Sequence, residues 1–317
     1  MENKPVLPVI AGPTASGKTA CAVALCRMLN GEVVSADSMQ IYRGMNVLSA
    51  KPTVAEQGGV PHHMLDCVPP SSRYSADAYR ADAKACIADI YQRGHMPVMC
   101  GGTGLYIDAV TRPMSFSQRS DEAMHDALLS LAATPGGKRR LHDILAEIDP
   151  ESAKRLHEND VRRVARAIEI YRLTGMTQTE CTRLDRMREG DFRELIFALD
   201  WPRDALYRRI DARVDEMLRQ GLVEEVRTLM ADERRHPTAA QAIGYKEIAA
   251  ALRGDIGMAD AISRTKQATR NFAKRQLTWF KRDARVVWLE AEGKSAEALA
   301  RQMCEVLFKR FGKEAFP

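Results

Sequence analysis

The stretch Val6-Leu-Pro-Val-Ile-Ala11, then Gly12-Pro13-Thr14-Ala15-Ser16-Gly17-Lys18-Thr19, then Ala20-Cys-Ala-Val-Ala-Leu-Cys26 decides the fold. An apolar run short enough for a buried strand leads into a glycine-rich turn, and the turn opens an apolar helix-compatible segment. The turn fits G-x-x-x-x-G-K-[ST] at every position. Glycines let backbone N–H groups converge on phosphate oxygens, and the helix N-terminus adds the positive end of its dipole. Lys18 supplies a point charge, and the Thr19 hydroxyl is a ligand for Mg²⁺.

Working outward, two further short apolar runs, Val33–Ala36 and Pro97–Cys100, are each followed by helix-compatible sequence. Leu195–Leu199 and Val286–Leu289 extend the series. This alternation predicts an α/β protein with a P-loop NTPase-like parallel sheet core flanked by helices. Residues 113–190 contain no convincing strand and are broken at Pro135-Gly136-Gly137, Pro150 and Gly175. They are expected to form an inserted all-helical subdomain, leaving residues 1–112 and 191–317 as the core domain.

Composition narrows the setting. The chain has 317 residues, 45% hydrophobic and 28% charged, which is ordinary for a globular protein. No apolar run approaches the ~20 residues of a membrane span, and residues 1–10 lack a signal peptide pattern. Seven scattered cysteines without a C-x-x-C pair read as reduced thiols. A cytoplasmic location without membrane attachment is expected, as a monomer. The net charge is only +5, yet Ser263–Arg282 carries seven basic residues and no acidic one. That asymmetry points to a polyanion, although a solvated face is the plainer reading.

Two carboxylates compete for chemistry beyond the strand ends, where doubly wound sheets bind their ligands. Asp37 follows the second run and Asp200 the fourth; Asp200, before Trp201-Pro202, reads better as a loop or cap residue. Thr103, after two glycines, suits either a phosphate or amine contact or a helix N-cap. On a helix through 161–168, Arg162, Arg163 and Arg166 oppose Val161, Val164, Ala165 and Ile168. Lys266, Arg270 and Lys274 form a second basic stripe. Tyr42 and Trp279 read as core.

Asp37-Ser38-Met39-Gln40-Ile-Tyr-Arg-Gly-Met45 with Ser49-Ala-Lys-Pro52 closely resembles the tRNA dimethylallyltransferases (tRNA isopentenyltransferases). Gly101-Gly-Thr-Gly-Leu-Tyr106, Arg162–Arg166, Gln241-Ala242-Ile243-Gly244-Tyr245-Lys246-Glu247 and Arg275-Gln-Leu-Thr-Trp-Phe280 carry the likeness onward in family order. It departs at Asn46-Val47-Leu48, where the family usually has Asp-Ile-Gly, and at His125, where relatives commonly carry arginine. After residue 290 no zinc-finger pattern follows, which resembles the bacterial form.

The resemblance implies transfer of a dimethylallyl group from dimethylallyl diphosphate to N6 of the adenosine 3′ of the anticodon. The P-loop, Gly12 to Thr19, would hold the diphosphate with Mg²⁺. Asp37 would act as base, with Thr103 and Arg213 as further catalytic residues. The tRNA anticodon stem-loop would meet Asp37 to Gln40, Thr103, His125, Arg162 to Arg166 and Gln241 to Lys246. A P-loop small-molecule kinase explains residues 12–37 but nothing basic beyond them. An adenylate isopentenyltransferase would share the chemistry on a free nucleotide, and an RNA-binding protein with a vestigial loop is the non-enzymatic alternative.

Overall fold

A computed structural model describes residues 4–114, 121–231 and 238–316. The chain divides into two compact units, Met1–Thr111 with Phe192–Pro317, and Arg112–Asp191. Residues 115–120, within the expected insertion, lie outside the described residues.

The first unit is built on a six-stranded, all-parallel sheet. Its strands are β1 (Val6–Ala11), β2 (Gly31–Ser35), β3 (His62–His63), β4 (Met96–Cys100), β5 (Arg193–Asp200) and β6 (Val286–Glu290). Their order across the sheet is β3-β2-β4-β1-β5-β6. The α/β expectation is met. Five strands were legible as apolar runs; two-residue β3 was not, because His62 and His63 present no apolar pattern.

Side chains of β1 show why both faces are covered. Leu7, Val9 and Ala11 enter a core beneath the helices Ala76–Gln92, Gly104–Thr111, Leu222–Ala231 and Tyr245–Leu252. Val6 and Ile10 point the other way, into the core under Lys18–Leu29 and Ala296–Phe311. That is the period-two alternation of a strand buried on both sides. Tyr42 lies fully buried in the first core, as its sequence context predicts. All seven cysteines are free thiols and five are buried. Among the described residues no helix is long and apolar enough to cross a membrane.

The second unit packs the helices Glu122–Ala132, Gly137–Ile148, Pro150–Arg155 and Val161–Thr174 around its own apolar core, with the helix Gln178–Arg186 following them. Its helix ends follow the sequence signals. Asp121 and Asp149 cap helices by accepting the Met124 and Ser152 amides, Pro150 occupies a first-turn position, and Gly175 ends a helix at φ +73°. The buried Asp149 also accepts the Thr179 amide and hydroxyl, tying the last helix to the third.

Candidate active site

The loops after β1, β2 and β4, three adjacent strands, converge at one edge of the sheet. There the first unit holds a cleft of about 610 Å³. Lys18, Thr19, Asp37, Ser38, Gln40 and Arg213 all line it.

The loop after β1 needs its glycines. Gly12 and Gly17 adopt φ values of +129° and +96°, where L side chains are strained, and Ala15 tolerates +62°. Three side chains brace its main chain. Trp201 Nε1 donates to the Ser16 carbonyl at 3.0 Å, and Arg209 Nε to that of Ala15 at 2.8 Å. Gln276 Oε1 accepts the Thr14 amide at 2.8 Å. Arg209 is itself steadied over the Trp201 ring, 4.2 Å from its centroid.

Lys18 Nζ donates to the Pro13 carbonyl at 2.6 Å. Burial pulls its pKa down to about 8, with Arg213 pushing the same way and Cys100 and Asp37 opposing. Arg213 is also held below the usual arginine range by burial, countered by Glu56 and Asp37. Lys18, Arg213 and Asp37 therefore share one electrostatic neighbourhood. Arg213 Nη2 reaches the Ala50 carbonyl at 3.1 Å, while Asp215 beside it pairs with Lys266.

Asp37 opens the turn after β2, and its Oδ1 accepts the Met39 amide at 2.9 Å. Asp37 itself lines the cleft. Thr103 stands across from this turn. Its Oγ1 accepts the Ser38 amide at 3.0 Å and donates to Ser38 Oγ at 3.3 Å, so the hydroxyl serves the neighbouring turn. Gly101 permits the approach, since a Cβ there would sit 2.1 Å from the Ala36 carbonyl oxygen. Asp200 ends β5, is exposed and lies outside the cleft lining, in keeping with a loop role.

The opposite wall is the segment Asn46–Thr53. Glu225 fixes it by accepting the amides of Asn46, Val47 and Leu48 at 2.9, 2.9 and 2.7 Å. Lys51 donates to the Tyr42 carbonyl and to Asn46 Oδ1, and pairs with Asp66. Gln40 accepts from Ser35 Oγ at 3.0 Å and reaches the Ala50 carbonyl at 3.4 Å, so its amide is spoken for. Val47, Leu48, Ile210, Val214, Met217 and Phe272 give the cleft an apolar lining beside its charged floor.

The remaining expected RNA residues fall into two groups. Gln241 and Lys246 are exposed, whereas Ala242 is buried and Gly244 packs against Leu48 and Thr265 with φ +97°. Tyr245 packs on the core, and Ile243 lines the cleft. In the second unit Arg162 and Arg163 are exposed, but Val164 and Ala165 are fully buried and present no side chain to a ligand. Arg166 and His125 both bind the buried Glu169, at 2.9 and 3.2 Å. The stripe Lys266–Lys274 is likewise partly neutralised: Lys266 pairs with Asp215 and Arg270 with both oxygens of Asp211. Trp279 is not core. It is 41% exposed, with its ring laid on Gly104.

The cleft also fits a magnesium ion. Among the described residues no three His, Cys, Asp or Glu side chains could cage a metal. The Thr19 hydroxyl is a hard oxygen donor lining the cleft, suited to an ion that takes its other ligands from phosphate and water.

A parallel sheet with a glycine-rich loop at its carboxyl edge defines an α/β enzyme of P-loop-like fold. The chain belongs to the tRNA dimethylallyltransferase family of prenyl transferases. The IPP transferase family model matches residues 40–283 and the isopentenyl transferase model residues 5–69. A tRNA dimethylallyltransferase from Geobacillus thermodenitrificans is 46% identical over 89% of each chain. One from Pelotomaculum thermopropionicum is 43% identical over 95% of this chain and 96% of that one. Among solved structures, the tRNA isopentenylpyrophosphate transferase of Bacillus halodurans aligns with TM-score 0.73 at 38% identity, covering 98% of both chains. A eukaryotic dimethylallyltransferase acting on tRNA aligns with TM-score 0.83 at 29% identity, covering 99% of this chain and 80% of that one.

Proposed function

We propose that the chain moves a dimethylallyl group from dimethylallyl diphosphate to the exocyclic N6 of the adenosine 3′ of a tRNA anticodon. The N6–C1 bond forms as the C1–O bond breaks, diphosphate departs, and the N6 proton passes to Asp37. One observation carries this reading. Two half-buried cations, Lys18 and Arg213, share one electrostatic neighbourhood with a carboxylate, Asp37, in a cleft that also has an apolar lining.

Each part has a chemical reason. An allylic C–O bond breaks readily once charge on the leaving diphosphate is offset, and loop amides, Lys18 and Arg213 offer that in a partly dry site. Thr19 would hold Mg²⁺, which would supply further positive charge against the departing diphosphate. Adenine N6 is a weak nucleophile because its lone pair is delocalised, so a carboxylate that takes its proton accelerates attack. Asp37 Oδ1 is anchored by the Met39 amide, which leaves the second oxygen for that role. Val47, Leu48, Val214 and Met217 suit the five-carbon tail.

On the RNA side, the adenine must leave the anticodon-loop stack to reach a cleft of this depth. Gln241 and Lys246 in the first unit and Arg162 and Arg163 in the second are proposed phosphate and base contacts. The protein is proposed to act as a cytoplasmic monomer. The test is incubation with unmodified tRNA, dimethylallyl diphosphate and Mg²⁺, followed by nucleoside mass analysis. An adenosine heavier by one C5H8 unit supports the reading. Unmodified tRNA with phosphate transferred from ATP would replace it with a kinase.

A further inference from the structure

We infer that Gln276 is a positioning residue that sets the distance between the donor's cradle and the acceptor's base, and this rests on the reading of the cleft given above. Gln276 sits on the helix Met258–Lys281, is only 5% exposed, and uses both ends of its amide. Oε1 accepts the Thr14 amide of the loop after β1, and Nε2 donates to the Gly102 carbonyl after β4 at 2.9 Å. The partners fix the orientation, because a backbone N–H can only donate and a carbonyl can only accept. A flipped amide would leave both bonds unmade.

The two loops it joins do different work. Thr14 belongs to the turn that would carry the diphosphate. Gly102 immediately precedes Thr103, whose hydroxyl holds the Ser38 amide next to Asp37. One side chain thus closes a path from donor cradle to general base: Thr14, Gln276, Gly102, Thr103, Ser38, Asp37. The fit is tight, since a Cβ on Gly102 would lie 2.1 Å from Gln276 Nε2. Neither cation nor the carboxylate depends on Gln276 for its own contacts: Lys18 bonds to Pro13, Arg213 to Ala50, and Asp37 to Met39. Loss of the bridge should leave each substrate's grip in place and change the spacing between the reacting atoms. Rate is far more sensitive to that spacing than affinity is, a misplacement of ~1 Å costing on the order of 100-fold.

The experiment compares Gln276→Met, which keeps length and burial but forms neither bond, with Gly102→Ala, which displaces Nε2 from the opposite side. Single-turnover prenyl transfer is measured with separate binding constants for tRNA and for dimethylallyl diphosphate. Each variant is expected to lose about 10-fold or more in rate with both binding constants within about threefold of the parent. The double variant should be no slower than the worse single one, because both break one bridge. A Gln276→Met rate within threefold of the parent overturns the inference, as does rate loss matched by equal loss of donor affinity, or full additivity in the double variant. Lys18→Ala in the same assays separates the two claims. If it binds donor as the parent does, the cradle reading fails whatever Gln276 does.

Discussion

The Thr103 hydroxyl accepts the main-chain amide of Ser38 at 3.0 Å, binding the loop after β4 to the turn that presents Asp37. Thr103 is thereby committed to shaping the acceptor side. Thr103→Ala leaves a partly buried amide unpaired and frees the turn, at a cost of about 1–3 kcal/mol locally. Turnover should fall roughly 10-fold or more with little change in donor affinity, while Thr103→Ser retains most activity. Steady-state kinetics with each substrate varied in turn checks this.

Donor binding should depend on pH through Lys18. Its pKa in the free protein is lowered to about 8 by burial, and a bound polyanion favours the charged form and raises it. Below pH 8 the ammonium is already protonated and affinity is flat with respect to this group. Above pH 8 binding must take up a proton, so affinity falls by up to about tenfold per pH unit until the pKa of the complex is reached. Calorimetric titration in buffers of different ionisation enthalpy measures that uptake. Lys18→Ala should abolish it.

Glu225 is the carboxylate on which the apolar wall hangs, through the amides of Asn46, Val47 and Leu48. Glu225→Ala strands three donors, and about 2 kcal/mol of local stability should be lost. The melting temperature should fall by a few degrees, with a raised KM for dimethylallyl diphosphate. Glu225→Gln, which keeps an acceptor oxygen, should fall between the two in thermal melts and kinetics.

Charge reversal at Arg162 and Arg163 should weaken tRNA binding and flatten its dependence on salt, by a log–log slope of roughly 0.7–0.9 per lost phosphate contact. Reversal at Arg270 should act differently. Its guanidinium is engaged by Asp211 in a half-buried pair, whereas the Arg163–Asp160 pair is exposed, so repulsion within the protein should lower stability before it changes the salt slope. Filter binding across a salt series and thermal melts distinguish the cases.

These expectations divide along what local sequence can carry. The glycine-rich turn Gly12 to Thr19 was legible because strand, glycine turn and helix follow in order, and Asp37 could be placed near the cleft because it follows the second strand. The helices between 122 and 186 were foreshadowed by breaks at Pro150 and Gly175, which fall at helix ends. What escaped were long-range partners. Gln276 lies 262 positions from Thr14, and Glu225 179 from Asn46, so no periodicity or spacing links them. Trp279 and Phe280 are adjacent and both aromatic, yet only Phe280 is buried, since the Trp279 ring found bare Gly104 to lie on. Runs of basic residues also overstated the free positive charge, because Asp211 and Asp215 answer them from another helix and Glu169 from one turn along the same helix.

The central claim is that Asp37 takes the amine's proton beside a cradle that holds the leaving group. It is tested most directly by single-turnover transfer in Asp37→Ala, with tRNA and donor binding measured on the same preparation. The variant's rate should be lower by about 100-fold to 10,000-fold, with both ligands still bound. A rate near that of the parent enzyme, with both substrates saturating, would contradict it.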